Sequence, residues 1–358
     1  MKVLLLSGNF HSQGGMIDYL KCWADQLARC GEDFYVISVS GQAEFLEYPQ
    51  YTFLSKKRLS DLSMREIALS FISHSPIMKD YAEFIAAVTT GLNAREIHII
   101  DDSVWAPFIA NWLKKKLPKA TELVVTVHDP KFHIGQHISL LGRFSSIVSR
   151  RFLLSLATEG QIRLHVHDRK LIPGTVFEKL PMSAFWIEDH PVRDPIVYRS
   201  LNFPNNPVRI GFVGRVEPYK GVDLFIDCLL RLEKLRDDIE YEAYVVGRGA
   251  LPESVSQLRC CHVINDFLPE DQLHSVIANM DLVILPYIEG TQSGIASLCH
   301  TYHIPLIVSD VGALPNFVNK KNVGEVFAAG DVAGLTASVH AILLNPDKLK
   351  MWRRNYGV

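Results

Sequence analysis

Short, continuously apolar runs alternate along this chain with longer segments whose apolar residues recur every third or fourth position. The first run, KVLLL (Lys2 to Leu6), passes through a glycine-bearing loop into a segment from about Met16 to Cys30. Ile17, Leu20, Trp23, Ala24 and Leu27 share one face of the helix this spacing predicts. Gly31 closes that helix, and strands are expected at Phe34 to Val39, Glu96 to Ile100, Glu122 to Val127 and Ile162 to Val166. Strands without polar alternation, separated by helices, predict a parallel sheet covered on both faces. The pattern breaks from Pro181 to Pro207, a stretch rich in Pro and Asn that reads as a domain junction. It then restarts with strands at Val208 to Gly214 and Tyr241 to Gly247 and helices at Val222 to Arg236 and about Glu270 to Met280. The strand Asp281 to Pro286, a short loop, a helical segment with Ile295, Leu298 and Tyr302, and another apolar strand follow. Helices near Val332 to Leu344 and Asp347 to Tyr356 end the chain. The expected organisation is two doubly wound α/β domains, residues 1–190 and 191–345. A terminal helix in 346–358 is expected to pack back towards the first domain.

Composition narrows the class. The chain's 358 residues exceed what one hydrophobic core usually serves, and 48% hydrophobic with 21% charged residues is an ordinary globular balance. A formal net charge of −2 argues against nucleic acid as the main partner. The six cysteines show neither CxxC pairs nor Cys/His metal spacing, so they read as buried or partly buried thiols of a reducing compartment. His11, His133, His137, His165 and His167 are scattered and suggest no metal site. No apolar run approaches membrane-spanning length and MKVLLLSGNF is too short for a signal segment, so the expectation is a soluble cytoplasmic protein.

Candidate chemistry concentrates in two loops. In GFVGRVEPYKG a strand ends at Gly214, and Arg215 and Lys220 sit in the loop that opens the next helix. Cations beside free helix N–H groups make an anion site; the alternative is a loop whose charges are merely solvated. No GxxxxGK[ST] is present, and neither this loop nor GNFHSQGG (Gly8 to Gly15) completes a GxGxxG fingerprint. Gly14 and Gly15 would still let a ligand approach the backbone. In the second loop Glu289, Gly290, Thr291, Gln292, Ser293 and Gly294 precede an internal helix. Ser293 there reads as an N-cap, and the same geometry can cradle a phosphate.

Taken in order, Gly14-Gly15, VVTVHDP, GFVGRVEPYKG, VVGRG, INDFLPEDQLHSVIANMDLVILPY and IPLIVSDVGALP resemble a retaining GT-B glycosyltransferase of the family 4 type. The match spans both halves and is strongest from Val208 to Pro315. The resemblance implies two Rossmann-like domains facing a cleft. The C-terminal domain would bind a nucleotide-sugar donor and the N-terminal one an acceptor, with retention at the anomeric carbon and without a metal or cofactor. Arg215 and Lys220 match the family's two phosphate-binding cations, so loss of either is expected to lower turnover steeply. His128 matches the histidine near the reacting centre, and Gly14 and Gly15 the loop close to the donor phosphates. Asp129 is assigned, more loosely, to the acceptor.

The second loop departs from the family pattern. Two glutamates usually stand eight positions apart here, and alignment on Pro286 and Pro305 puts Gly290 and Leu298 in their places. Glu289 lies one position before the first; nothing acidic replaces the second. The TQSG variant, with Thr291, Ser293 and the N–H groups of Gln292, Ser293 and Gly294, resembles a sub-branch associated with bacterial polysaccharide assembly. The expected function is hexose transfer to a glycan or lipid-linked acceptor. The missing pair keeps a non-catalytic nucleotide-sugar-binding subunit in view, and a nucleotide-sugar epimerase of similar build is a third reading. Basic residues among apolar ones, Arg143, Arg150 and Arg151 with Lys114, Lys115 and Lys116, suggest peripheral contact with the inner face of the plasma membrane. The alternative there is a core-facing helix with a solvated face.

Overall fold

The computed structural model describes residues 1–5, 15–39, 48–53, 76–101, 103, 105–128, 140–191, 195–197, 203–235, 240–290 and 292–357. The chain divides at about Pro191 into two compact units, each with its own parallel sheet.

In the first unit seven strands are ordered β3-β2-β1-β4-β5-β6-β7. They are β1 (Lys2–Leu5), β2 (Phe34–Val39), β3 (Gln50–Phe53), β4 (Glu96–Ile99), β5 (Glu122–Thr126), β6 (Arg163–Val166) and β7 (Phe185–Ile187). Among the described residues the helices of this unit are α1 (Gly15–Arg29), α2 (Pro76–Gly91), α3 (Ala106–Lys116) and α4 (Leu140–Thr158). The face of α1 anticipated from spacing is the buried one, with Ile17, Leu20, Trp23, Ala24 and Leu27 all in the core. β7 corrects the sequence reading, which left Phe185–Ile187 inside an unstructured junction. Three residues are too few to display a period; parallel pairing of Leu164, His165 and Val166 with Phe185, Trp186 and Ile187 makes them a strand.

The second unit has six parallel strands ordered β10-β9-β8-β11-β12-β13. They are β8 (Val208–Val213), β9 (Tyr241–Val246), β10 (Cys261–Ile264), β11 (Leu282–Leu285), β12 (Leu306–Ser309) and β13 (Gly324–Phe327). The helices are α5 (Val222–Leu232), α6 (Glu270–Ala278), α7 (Gly294–Thr301), α8 (Leu314–Asn319), α9 (Val332–Leu344) and α10 (Asp347–Arg354). Central β11 is buried along its whole length, as a strand covered on both faces must be. The buried Asp281 accepts hydrogen bonds from the Asn205 and Arg209 backbones, both at 2.9 Å, tying the junction to the start of β8. The terminal helix α10 places Leu349 and Trp352 in the core of this second unit. Beyond it, Tyr356 donates from its hydroxyl to the Ile304 carbonyl at 2.9 Å.

Both sheets reverse direction of strand addition once, between β1 and β4 and between β8 and β11. Such switch points leave a crevice beyond the carboxyl ends of the strands, where doubly wound sheets bind ligands. Of the cysteines, Cys22, Cys228 and Cys299 are buried, whereas Cys30 and Cys260 are exposed.

Candidate functional site

The loops after β8 and β11 meet at the second switch point. Gly221 makes that approach possible: its φ is +69°, and a Cβ there would stand 1.9 Å from the Pro286 carbonyl oxygen. A single 3-10 turn, Pro218–Lys220, precedes it. The Tyr219 carbonyl accepts the N–H groups of Ile288 (2.8 Å) and Glu289 (3.3 Å), locking one loop to the other. A second close approach joins the loop after β9, where a Cβ on Gly247 would lie 1.9 Å from the Gly214 carbonyl oxygen. The glycines of GFVG, YKG and VVGRG thus serve backbone packing around the ends of three adjacent strands.

This packing delivers Lys220 to the start of α7. Its ammonium donates to the Tyr287 hydroxyl at 3.1 Å and lies 4.6 Å from the centre of the Tyr287 ring. The Tyr287 and Ser293 hydroxyls are 2.9 Å apart, and Ser293 caps α7 by accepting the Ala296 N–H at 3.3 Å. The expected cap is therefore present. Lys220 was anticipated beside the N-terminus of α5, the helix it precedes; its ammonium is instead bonded into the cap of α7. A count of hydrogens shows the chemical bias of the trio. An ammonium has three and the two hydroxyls one each; one N–H is used on Tyr287 and one O–H between Tyr287 and Ser293. Two ammonium hydrogens and one hydroxyl hydrogen remain. Among the described residues no carboxylate pairs with Lys220.

Arg215 is placed differently. Its guanidinium pairs with Glu217 at 2.7 Å, and its side chain is 67% exposed. In the second loop, Gly294 at the first turn of α7 is exposed, with nothing within 4 Å of where a Cβ would stand. The Gln292 amide has both polar atoms buried and unpaired among the described residues. Glu289 and Gly290 are half-buried. Leu298, where the family pattern expects a glutamate, is buried in the core between α7 and the sheet. Thr291 lies outside the described residues.

In the first unit His128 follows β5, and its Nε2–H donates to the Ile100 carbonyl at 2.9 Å. That bond selects the Nε2–H tautomer and leaves Nδ1 as an acceptor. The ring packs edge-on against Tyr19, 4.5 Å between centroids. Gly15 opens α1; Gly14 and Asp129 lie outside the described residues, as do His11, His133 and His137.

Around His128 the fold assembles a group that sequence reasoning missed. His165 and His167, read as scattered, join His98 and His190 beneath Tyr19 and Trp23 of α1. Every proton in the chain of bonds can be assigned. The Glu188 carbonyl can only accept, so it takes Nδ1–H of His167 (3.1 Å) and Nε2–H of His165 (3.3 Å). His167 Nε2 then accepts from the Tyr19 hydroxyl at 3.1 Å. His165 Nδ1 accepts from Thr126 at 3.0 Å, and Thr126 accepts from His98 Nε2–H at 2.7 Å. All three imidazoles are neutral in this scheme. Burial lowers the pKa of His165 to about 3 and of His190 to about 4, and takes those of His98 and His167 well below 6.5; neighbouring histidines add to the effect. With these nitrogens already committed, no group of three or more His, Cys, Asp or Glu among the described residues is placed to hold a metal ion. The strand register points His98, Thr126, His165 and Trp186 to one face of β4–β7, and in sequence only the i, i+2 spacing of His165 and His167 hints at a shared face.

Residues 207–345 match the model of a family described as glycosyl transferases group 1. The chain is 28% identical over 143 residues to the 2-deoxystreptamine glucosyltransferase of Streptomyces kanamyceticus, covering 38% of this chain and 36% of that protein. It is 27% identical over 193 residues to the 2-deoxystreptamine N-acetyl-D-glucosaminyltransferase of Streptomyces fradiae, covering 51% and 44%. The matches thus span less than half the length of these curated relatives. Solved structures align over nearly the whole chain. Sucrose-phosphate synthase from Thermosynechococcus elongatus has a TM-score of 0.67 at 15% identity, covering 99% of this chain and 93% of that one. Anabaena HepE in complex with UDP and glucose has a TM-score of 0.68 at 14% identity, covering 99% and 93%. S. aureus TarM, in complex with fondaparinux, alpha-GlcNAc-glycerol and UDP, has a TM-score of 0.65 at 9% identity, covering 99% and 96%. The fold is GT-B, with two parallel-sheet Rossmann-like domains.

Proposed function

We propose that this GT-B protein is a retaining glycosyltransferase that moves a hexose from a nucleotide-sugar to a glycan or lipid-linked acceptor in surface polysaccharide assembly. The observation that carries this reading is the surplus of hydrogen-bond donors on Lys220, Tyr287 and Ser293, at the switch point of a unit matching the group 1 glycosyltransferase model. Breaking the bond between anomeric carbon and phosphate oxygen leaves that oxygen with the electron pair and the sugar as an oxocarbenium-like cation. An ammonium and helix N–H groups aimed at the diphosphate stabilise this separation before it occurs, and donors of this kind are worth about 3–4 kcal/mol each in known oxyanion sites. Arg215 contributes once it leaves Glu217. HepE with UDP-glucose and TarM with UDP support the nucleotide-sugar class of donor. The acceptor attacks from the leaving-group face, its proton passing to the departing phosphate oxygen, so no protein nucleophile, cofactor or metal is assigned. Glu289, Thr291, Gln292, Gly294, Gly14 and Gly15 complete the proposed donor contacts. We assign His128 to the donor sugar near the reacting centre and Asp129 to the acceptor.

A lipid-linked acceptor fits one surface feature. Phe144 (63% exposed), Ile147 (42%) and Arg151 lie three and four residues apart along α4, a mixed apolar and basic stripe suited to an anionic bilayer surface. The packing of Phe108 on Phe152 puts Lys114 to Lys116 towards the other end of these helices, and Lys114 donates to the Thr121 carbonyl at 3.1 Å. The α4 stripe is therefore the stronger membrane candidate. Among the described residues no helix is long and apolar enough to cross a membrane.

The test incubates purified protein with UDP-, GDP-, ADP- and dTDP-hexoses and a crude lipid and oligosaccharide fraction containing EDTA. Release of nucleoside diphosphate with an α-linked product from an α-linked donor is expected. Binding without release points to the non-catalytic subunit, and sugar conversion without acceptor to the epimerase.

A further inference from the structure

The group 1 match and the cations account for Arg215 and Lys220, but not for the residue on which Lys220 rests. Tyr287 is 1% exposed and anchored at both ends: its carbonyl accepts the Ser309 hydroxyl at 2.6 Å, and its own hydroxyl stands between Lys220 and Ser293. Its ring also lies 4.6 Å from the Lys220 ammonium. A lysine has four rotatable side-chain bonds, and a free one samples many positions. Here one aromatic residue supplies a cation–π face, a hydrogen-bond acceptor and a link to the cap of α7.

We propose that Tyr287 is a positioning residue for the nucleoside diphosphate, an inference that rests on the donor reading above. Its hydroxyl fixes the Lys220 ammonium at the N-terminus of α7, so that charge and helix N–H groups converge on the same phosphate oxygens. The hydroxyl pair has one hydrogen to share and one to spare. The spare hydrogen turns towards an anion whichever of Tyr287 and Ser293 donates to the other. Among the described residues the lysine has a neutral hydrogen-bond partner and no paired carboxylate. The full positive charge stays available to the ligand instead of being neutralised within the protein.

The test is a double-mutant cycle on the full chain with Tyr287→Phe, Lys220→Ala and the double variant. Tyr287→Phe keeps the ring and its packing and removes only the hydroxyl. Binding of inorganic pyrophosphate and of UDP, GDP, ADP and dTDP is measured by isothermal titration, alongside thermal unfolding. The expected result is a loss of diphosphate affinity of about tenfold in Tyr287→Phe, the size of one lost charge-assisted hydrogen bond. The same change in the Lys220→Ala background should cost less than about twofold, because the hydroxyl then has no ammonium to hold. Under the donor substrate, KM should rise more than kcat falls. Ser293→Ala, which takes away the hydroxyl's second partner and leaves the tyrosine intact, is expected to give a smaller loss of the same kind. Should Tyr287→Phe fail to fold, Ser293→Ala carries the cycle with Lys220→Ala instead. Unchanged affinity in the folded variants, or an equal loss with and without Lys220, overturns the positioning role while the donor reading stands. A wild-type protein that binds neither pyrophosphate nor any of the four nucleotides overturns the donor reading and this inference with it.

Discussion

The histidine layer of the first unit and the lysine cluster of the second occupy corresponding places, near the carboxyl ends of strands in a doubly wound sheet. They differ in how their hydrogens are spent. Along the chain of bonds from His98 to Tyr19 every donor meets an acceptor within the protein and burial keeps the rings neutral, with only the Trp23 Nε1–H beside them left without a partner among the described residues. In the cluster three polar hydrogens remain after the internal bonds are made, and a positive charge stands on a neutral partner. A balanced network has nothing left for a ligand and contributes rigidity; an unbalanced one is completed only when something binds. Buried polar residues alone do not mark a site. The sign and number of the unmet bonds do.

Acid should separate the two most strongly. The unfolded chain titrates its histidines at an ordinary pKa near 6.5, whereas the folded layer resists protonation down to about 4 for His190 and about 3 for His165. Between those values the unfolded state binds more protons. The layer's contribution is therefore fully present above pH 6.5 and is lost progressively as pH falls towards 3. The urea midpoint should drop by an amount equivalent to several kcal/mol between pH 7.5 and 4.5, and a flat profile would break the assignment of neutral rings.

Lys220→Ala should reverse the pattern. Turnover is expected to fall by about 10²–10³-fold, as for loss of one preorganised oxyanion donor, while thermal stability moves little. Equal losses of activity and stability would show that the cluster is structural after all. Thr126→Val, nearly isosteric, strands His98 Nε2–H and His165 Nδ1 without a partner. It should cost about 1–3 kcal/mol in a denaturant titration and leave turnover within about twofold. Arg215→Ala is expected to be the mildest, lowering kcat/KM by about tenfold in low salt and by less in high salt, because its guanidinium is exposed and already engaged by Glu217. A loss as steep as that of Lys220→Ala would mean that Arg215, once released from Glu217, binds the phosphates as strongly as Lys220 does.

Much of the architecture was legible in the chain. Apolar runs of strand length and the i, i+3, i+4 face of α1 are local consequences of which residues avoid water, and the runs placed most of both sheets. Ser293 was legible as a cap because capping depends on one side chain and the N–H groups three residues on. β3, β7 and β13 were missed, since strands of three or four residues carry no period of their own and exist only through their neighbours. Of the candidate site, the identity of Lys220 could be read from its motif, but the partner of its ammonium could not. The sequence by itself determined two α/β units, a capped helix after β11 and a cation in the loop after β8, all features set by neighbouring residues. Only the tertiary structure decided that His98, His165, His167 and His190 gather under Tyr19 and Trp23, and that Lys220 turns to Tyr287, 67 positions along the chain. Those contacts follow from strand order and from the close approach of two loop backbones at Gly221, and neither leaves a periodic trace in the sequence.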